Sequence, residues 1–374
     1  MPKPALAILF SILFVIFSAP AAQAKEATPN AVQRKKSSVH KSAVTQKRQP
    51  AVAERKSKTA VSRRGSKKIT VGHKSGAASR HKRKIAHKRV SSPVVQIIPA
   101  KPTFGDIAGL SNTHDPLDLK SNVALVMDQA TSEVLFEKNS RVPLPMASIT
   151  KLMTALVVLD SHQDMNEILE VTSQDVDYEK NSHSRLRVGS QLSRTDMLHI
   201  ALMSSENRAA SALGRNYPGG LPNFVKRMNE KARMIGMSDT TYVEPTGLSS
   251  RNVASARDLA KLVSAAYNYP IVRQYSTDSS YMVEPGGRAL HYSTSNGLVK
   301  NPQWDIGLQK TGYITEAGRC LVMQAKIEGR PVVMVFLDSK GKQSRLGDAG
   351  RIRKWLQTSP SILPETPVLA AKQS

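Results

Sequence analysis

One cysteine, Cys320, stands in a chain of 374 residues. A single thiol closes no internal disulfide, so the fold must stand on its core alone. Its expected place is the interior, as a small apolar side chain. Aromatic residues are scarce at 5 %, and none falls between Lys25 and Arg89. That stretch therefore lacks the stacking platforms on which single-stranded nucleic acids lie. Beyond the first residues no run is long and apolar enough to span a bilayer. The nine histidines form no His-Glu-x-x-His pattern, and no serine sits in a Gly-x-Ser-x-Gly elbow. Zinc-peptidase and α/β-hydrolase signatures are both missing.

The first 24 residues, "MPKPALAILFSILFVIFSAPAAQA", carry one lysine, a long apolar run and a small-x-small ending. They read as a secretory signal cleaved after Ala24, with an uncleaved anchor as the alternative. The net charge of +25 is concentrated just beyond them. Between Lys25 and Arg89 stand 21 Lys and Arg against Glu26 and Glu54, whereas everything after Arg89 carries only +5. Residues 25–103 show no apolar periodicity and cannot bury enough surface to offset their ordering entropy. They read as a basic, disordered linker. Such charge suits an anionic surface, either a wall polymer or acidic lipid, and a solvated spacer is the plainer reading. Export argues against nucleic acid as a partner.

Order is expected from Phe104 to about Gln357, with a loose tail over 358–374. "SNVALVMDQATSEVLFEKNS" reads as two short strands around a polar turn at Gln129–Ser132. A helix is expected from about Ser148 to Ser161, and a short strand within Asn166–Thr172. Ser193 reads as the N-cap of a further helix, with Asp196 three residues on. "SENRAASALGRNY", "LPNFVKRMNEKARMIGM" and "SARDLAKLVSAAYNY" are helical, the last stopped by Pro270. Three consecutive strands come next, "WDIGLQKTGY", "RCLVMQAKIEG" and "RPVVMVFLDS", the last two joined at Glu328-Gly329. "SRLGDAGRIRKWLQ" closes the domain as a helix. Strands at both ends with helices between them imply an α+β fold: one antiparallel sheet carrying a helical insertion.

Ser-x-x-Lys occurs four times, at Ser38/Lys41, Ser79/Lys82, Ser148/Lys151 and Ser339/Lys342. Only Ser148/Lys151 opens a strongly apolar helix, where positions three apart share a face and the amine can reach the hydroxyl. A helix cap with a surface lysine would look the same. A lysine can serve as a base if burial and a second cation lower its pKa. The chain offers that company. Ser205-Glu206-Asn207 lies at a helix junction, although Ser-x-Asn recurs at Ser250-Arg251-Asn252. Lys310-Thr311-Gly312 occurs once, on an expected strand, where the glycine would let a substrate backbone lie close.

In that order, Ser-x-x-Lys, Ser-x-Asn and Lys-Thr-Gly resemble the motif set of penicillin-binding proteins and class A β-lactamases. From about Ser121 to Trp355 the chain is similar to the low-molecular-mass penicillin-binding proteins, the D-alanyl-D-alanine carboxypeptidases and endopeptidases of bacterial walls. Supporting stretches are "PMASITKLMTA", "VEPTGLS" and "KTGYITEAGRCLV". The resemblance implies a β-lactamase/transpeptidase-like fold and no metal or organic cofactor. It implies Ser148 as nucleophile, Lys151 as its base, Ser205 as proton relay, and Asn207 as a holder of Lys151 and the substrate amide. Lys310 and Thr311 would bind the peptide's carboxylate or carbonyl end beside Gly312. The N–H groups of Ser148 and Tyr313 would form the oxyanion hole. Peptidoglycan peptides would be substrates, β-lactams covalent inhibitors, and the periplasm the compartment. Fewer than 20 residues follow Trp355, with no amphipathic anchor, which resembles the anchorless endopeptidases. The alternatives are a carboxypeptidase, a β-lactamase using Glu244, or an inactive wall-binding protein.

Overall fold

The computed structural model describes residues 101–359. The expected signal, nearly all of the basic linker and the end of the tail lie outside them. The first helix, α1 (Phe104–Ile107), is capped by Thr103, whose side chain accepts from Asp106 N. Strands β1 (Ser121–Asp128) and β2 (Val134–Lys138) then pair antiparallel. The chain leaves the sheet through β3 (Leu144–Pro145) and enters the helical insertion.

That insertion holds α2 (Thr150–Asp160), β4 (Ile168–Glu170), β5 (Gln191–Ser193), α3 (Arg194–Met203), α4 (Asn207–Arg215) and α5 (Gly220–Met234). It continues with β6 (Val253–Ala254), α6 (Ala256–Tyr267), α7 (Pro270–Thr277), β7 (Ser280–Val283) and β8 (Leu290–Ser293). The short strands pair as β3–β6, β4–β5 and β7–β8. Ser193 and Ser255 cap α3 and α6 by accepting from the N–H three residues on. Besides the short α1, β3, β5 and β6, which were not expected, two larger features differ from the sequence expectation. Pro270 ends α6 and also begins α7, because a proline at the first helical position gives up an N–H that has no partner there. The β7–β8 hairpin was not expected either.

The chain then returns as β9 (Asp305–Ile314), β10 (Gly318–Ile327) and β11 (Arg330–Ser339), followed by α8 (Ser344–Thr358). Glu328 and Gly329 both take positive φ, as a two-residue hairpin turn requires. The sheet order is β2-β1-β11-β10-β9, antiparallel throughout, so β11 closes against the first strand and β9 lies at the edge.

Both faces of the sheet are covered, which explains its long apolar strands. Val333, Val335 and Leu337 face the helical insertion, while Val332, Met334 and Phe336 face α8. Helix α2 is buried along residues 150–158 and is packed by α3, α4, α5 and α6. A helix apolar on every side belongs in such a position. Cys320 is fully buried on β10, and its thiol is pushed up to about 12 by burial. Among the described residues no helix is long and apolar enough to cross a membrane.

Candidate active site

The serine of interest sits just before α2, in a 3-10 turn over Ala147–Ile149, with Ala147 at φ +50°. A non-glycine residue in that region carries strain, so the surroundings must hold the turn. Thr150 Oγ1 donates to Ala147 O at 2.8 Å, and Met146 N donates to Asn252 O at 3.0 Å. Asn252 in turn donates to Thr150 Oγ1 at 3.1 Å and to the Glu244 carboxylate at 2.8 Å.

Two glycines let the backbone close on this turn. A Cβ on Gly247, at φ +83°, would lie 2.0 Å from Ala147 O. A Cβ on Gly312 would lie 3.0 Å from Ser148 N. The expected role of Gly312, room for a substrate backbone, therefore gains a different physical reason: its open face is filled by the turn that carries Ser148.

Lys151 is 1 % exposed inside α2. Its Nζ lies 3.0 Å from Ser148 Oγ, 2.7 Å from Asn207 Oδ1 and 2.6 Å from Thr246 O. Asn207 Oδ1 and Thr246 O can only accept. A neutral amine has two protons and one lone pair. Its protons go to those two oxygens, which leaves the lone pair for the Ser148 hydroxyl. Burial lowers the Lys151 pKa to about 8, against the opposing pull of Glu244 and Glu206.

The second cation stands where the sequence places it. Lys310, on β9, is fully buried, with Nζ 2.9 Å from Ser205 Oγ and 2.9 Å from Thr311 O. Burial first, then the Lys151 and Arg345 charges, hold its pKa well below the ordinary lysine value. The Lys151 charge thus disfavours a second charge on Lys310. Ser205 occupies the α3–α4 junction at φ +68°. Thr311 Oγ1 donates to Ser295 Oγ at 2.7 Å, and Tyr313 is 54 % exposed at the end of β9. Ser148, Lys151, Ser205, Asn207 and Lys310 thus form one contiguous polar cluster, with Thr311, Gly312 and Tyr313 along its β9 wall. Among the described residues no group of three or more His, Cys, Asp or Glu is placed to hold a metal ion.

The profile of the D-alanyl-D-alanine carboxypeptidase family matches residues 110–341. The chain belongs to that family of serine peptidases. A D-alanyl-D-alanine endopeptidase of Pseudomonas aeruginosa is 49 % identical over 243 residues, covering 64 % of this chain and 78 % of the relative. One of Escherichia coli is 41 % identical over 269 residues, 71 % of this chain and 86 % of the relative. Among solved structures, the Streptomyces K15 DD-transpeptidase superposes with a TM-score of 0.60 at 25 % identity, covering 65 % of this chain and 98 % of that one. Cefotaxime-bound penicillin-binding protein D2 of Listeria monocytogenes gives 0.57 at 28 % identity, covering 64 % and 98 %. The fold is the transpeptidase-like α+β fold of these proteins.

Within this peptidase, sequence reading missed several neighbours of the cluster. The Thr246 carbonyl is one, since a backbone acceptor leaves no mark on residue type. Ser182 Oγ accepts from Asn207 Nδ2 at 3.0 Å and so orients the amide. Asn252, part of the second Ser-x-Asn match that made the motif look weak, is a brace of the serine turn. Glu244 accepts from Thr246 N, Thr246 Oγ1, Gly247 N, Ser249 N and Asn252 Nδ2. That carboxylate holds the loop that supplies the Thr246 carbonyl. The stretch "VEPTGLS" carried the signal, because a glycine after Thr246 marks a tight turn.

Proposed function

We propose that the chain hydrolyses D-alanyl peptide bonds of peptidoglycan through an acyl-enzyme on Ser148, with cross-links as its preferred substrate. The carrying observation is the Lys151 amine, buried without a carboxylate partner and left with one free valence toward Ser148. In this reading Ser148 Oγ attacks the carbonyl carbon of the scissile bond and its proton passes to Lys151 Nζ. The oxyanion is held by the N–H groups of Ser148 and Tyr313. The proton then moves through Ser205 to the leaving amine as the C–N bond breaks. Asn207 holds both Lys151 and the substrate amide. Lys310 and Thr311 bind the peptide's carboxylate or carbonyl end. Water, losing a proton to Lys151, cleaves the acyl ester and restores Ser148.

A β-lactam would follow the same first steps. Its ring amide opens, the acyl group stays on Ser148, and the leaving amine remains tethered. Glu244 supports a peptidase over a β-lactamase, because five donors already engage its carboxylate and leave no acceptor site for a deacylating water. The two relatives named endopeptidases support the cross-link preference. Residues 1–24 act as the export signal in this reading, and the mature chain works in the periplasm. The basic residues 25–103 hold it to an anionic wall or membrane surface. A tail-deleted protein that binds walls and membranes as well as the full chain would remove the last point.

The test is a fluorescent penicillin. Label that survives denaturation, and is lost in Ser148→Ala, is the expected result; no label on the parent protein would leave an inactive wall-binding protein as the better account. Cross-linked muropeptides then separate the peptidases, since an endopeptidase yields monomers and a carboxypeptidase releases D-alanine.

A further inference from the structure

A cavity of about 430 Å³ opens between the loop after Ser182 and the turn joining β7 to β8. Its walls carry three guanidinium groups, Arg185, Arg187 and Arg288, together with His183, and no carboxylate. Arg185 is fixed: Nη1 donates to His291 O, and the group lies 4.7 Å from the Tyr292 ring centroid. Arg187 and Arg288 are exposed, and neither forms an ion pair among the described residues.

The cavity is tied to the catalytic cluster. Ser182, next to its wall residue His183, accepts from Asn207. Ser184, on the wall, donates to Glu206 Oε1 at 2.7 Å, and Glu206 stands between Ser205 and Asn207. Tyr292, beneath Arg185, donates to the other oxygen of the same carboxylate at 3.2 Å. Glu206 is thereby engaged as a brace, and the arginines keep their charge for something else.

We propose that this cavity is a specificity subsite that takes a carboxylate of the wall peptide outside the D-alanyl pair. The inference rests on the peptidase reading above. Guanidinium groups suit the task because they grip a carboxylate with two parallel N–H bonds and never lose their charge. The arginines are solvent-exposed, so the preference is modest and weakens with salt.

The test uses the full-length Ser148→Ala protein, which binds without turnover. Two synthetic acyl-D-alanyl-D-alanine peptides are compared, identical except that the side chain before the D-alanyl pair ends in a free acid or in its primary amide. Calorimetry at low salt should give roughly tenfold tighter binding of the acid, a preference lost when Arg187→Gln and Arg288→Gln are added. Equal affinities, including no binding of either peptide, or a preference that survives the added substitutions, would overturn the subsite. Penicillin acylation of the parent with Ser148 intact reports on the peptidase reading separately. Acylation without acid preference sinks the subsite alone, and no acylation sinks the reading beneath it.

Discussion

Lys138 and Lys151 are both buried, 8 % and 1 % exposed, and the chain treats them in opposite ways. Lys138, at the end of β2, donates to the buried Asp115 carboxylate at 2.9 Å and to Leu119 O at 3.3 Å. Asp115 also accepts from the N–H groups of Leu117 and Leu119. Charge meets charge, and the pair pins the approach to β1. Lys151 meets only a hydroxyl, an amide oxygen and a backbone carbonyl. A buried cation with an anion beside it is structural. A buried cation facing neutral acceptors is held nearer its own deprotonation, which suits Lys151 to moving a proton.

The comparison breaks most visibly by exchanging the two lysines for methionine. Lys151→Met should reduce penicillin acylation by about a thousandfold or more, as should Ser148→Ala, because the two act as one unit. Its stability at neutral pH should be unchanged or raised, by up to about 3 kcal/mol, since an unpaired buried charge is removed. Gly247→Ala sharpens the point through the third acceptor. The new Cβ must displace the Ala147 carbonyl, and with it the Thr246–Lys151 contact. Acylation should fall by roughly a hundredfold in stopped-flow traces, with Ser148 and Lys151 both present.

Lys138→Met should do the reverse of Lys151→Met. It leaves Asp115 buried without its cation and should cost about 3 kcal/mol in urea unfolding, while acylation per folded molecule stays at the parent rate. The smallest effect comes from pH. The folded pKa of Lys151 is lowered to about 8 from 10.5. Deprotonation is required, so acylation should rise with pH, by roughly tenfold between pH 7 and 9. The same shift destabilises the fold where the buried amine is charged, a cost that fades as pH rises from about 8 toward 10.5. A flat acylation profile across that range would mean that Lys151 is not the titrating base.

Much of the site was legible because its chemistry resides in residue types. Ser148 with Lys151, Ser205 with Asn207, and Lys310 with Thr311 and Gly312 stand in order on a helix start, a helix junction and a late strand. The strands were legible because both faces of the sheet are covered and their apolar runs are long. The missing parts are those that residue type does not encode. Ser205 at φ +68° and Ala147 at φ +50° are conformations that tertiary contacts impose on ordinary residues. The Thr246 carbonyl is a backbone atom. Helix α7 was hidden by Pro270, which serves as a stop for α6 and a start for the next helix. Hairpin β7–β8 has four residues to a strand, too few for alternation to stand out.

The central claim is that Lys151 is kept in the core for the proton of Ser148. It is tested most directly by labelling Lys151→Met with fluorescent penicillin while its melting temperature is recorded beside the parent's. The expected result is a protein that melts no lower than the parent and takes no label at any pH from 6 to 10. A variant that melts normally and is acylated within about tenfold of the parent rate would contradict it.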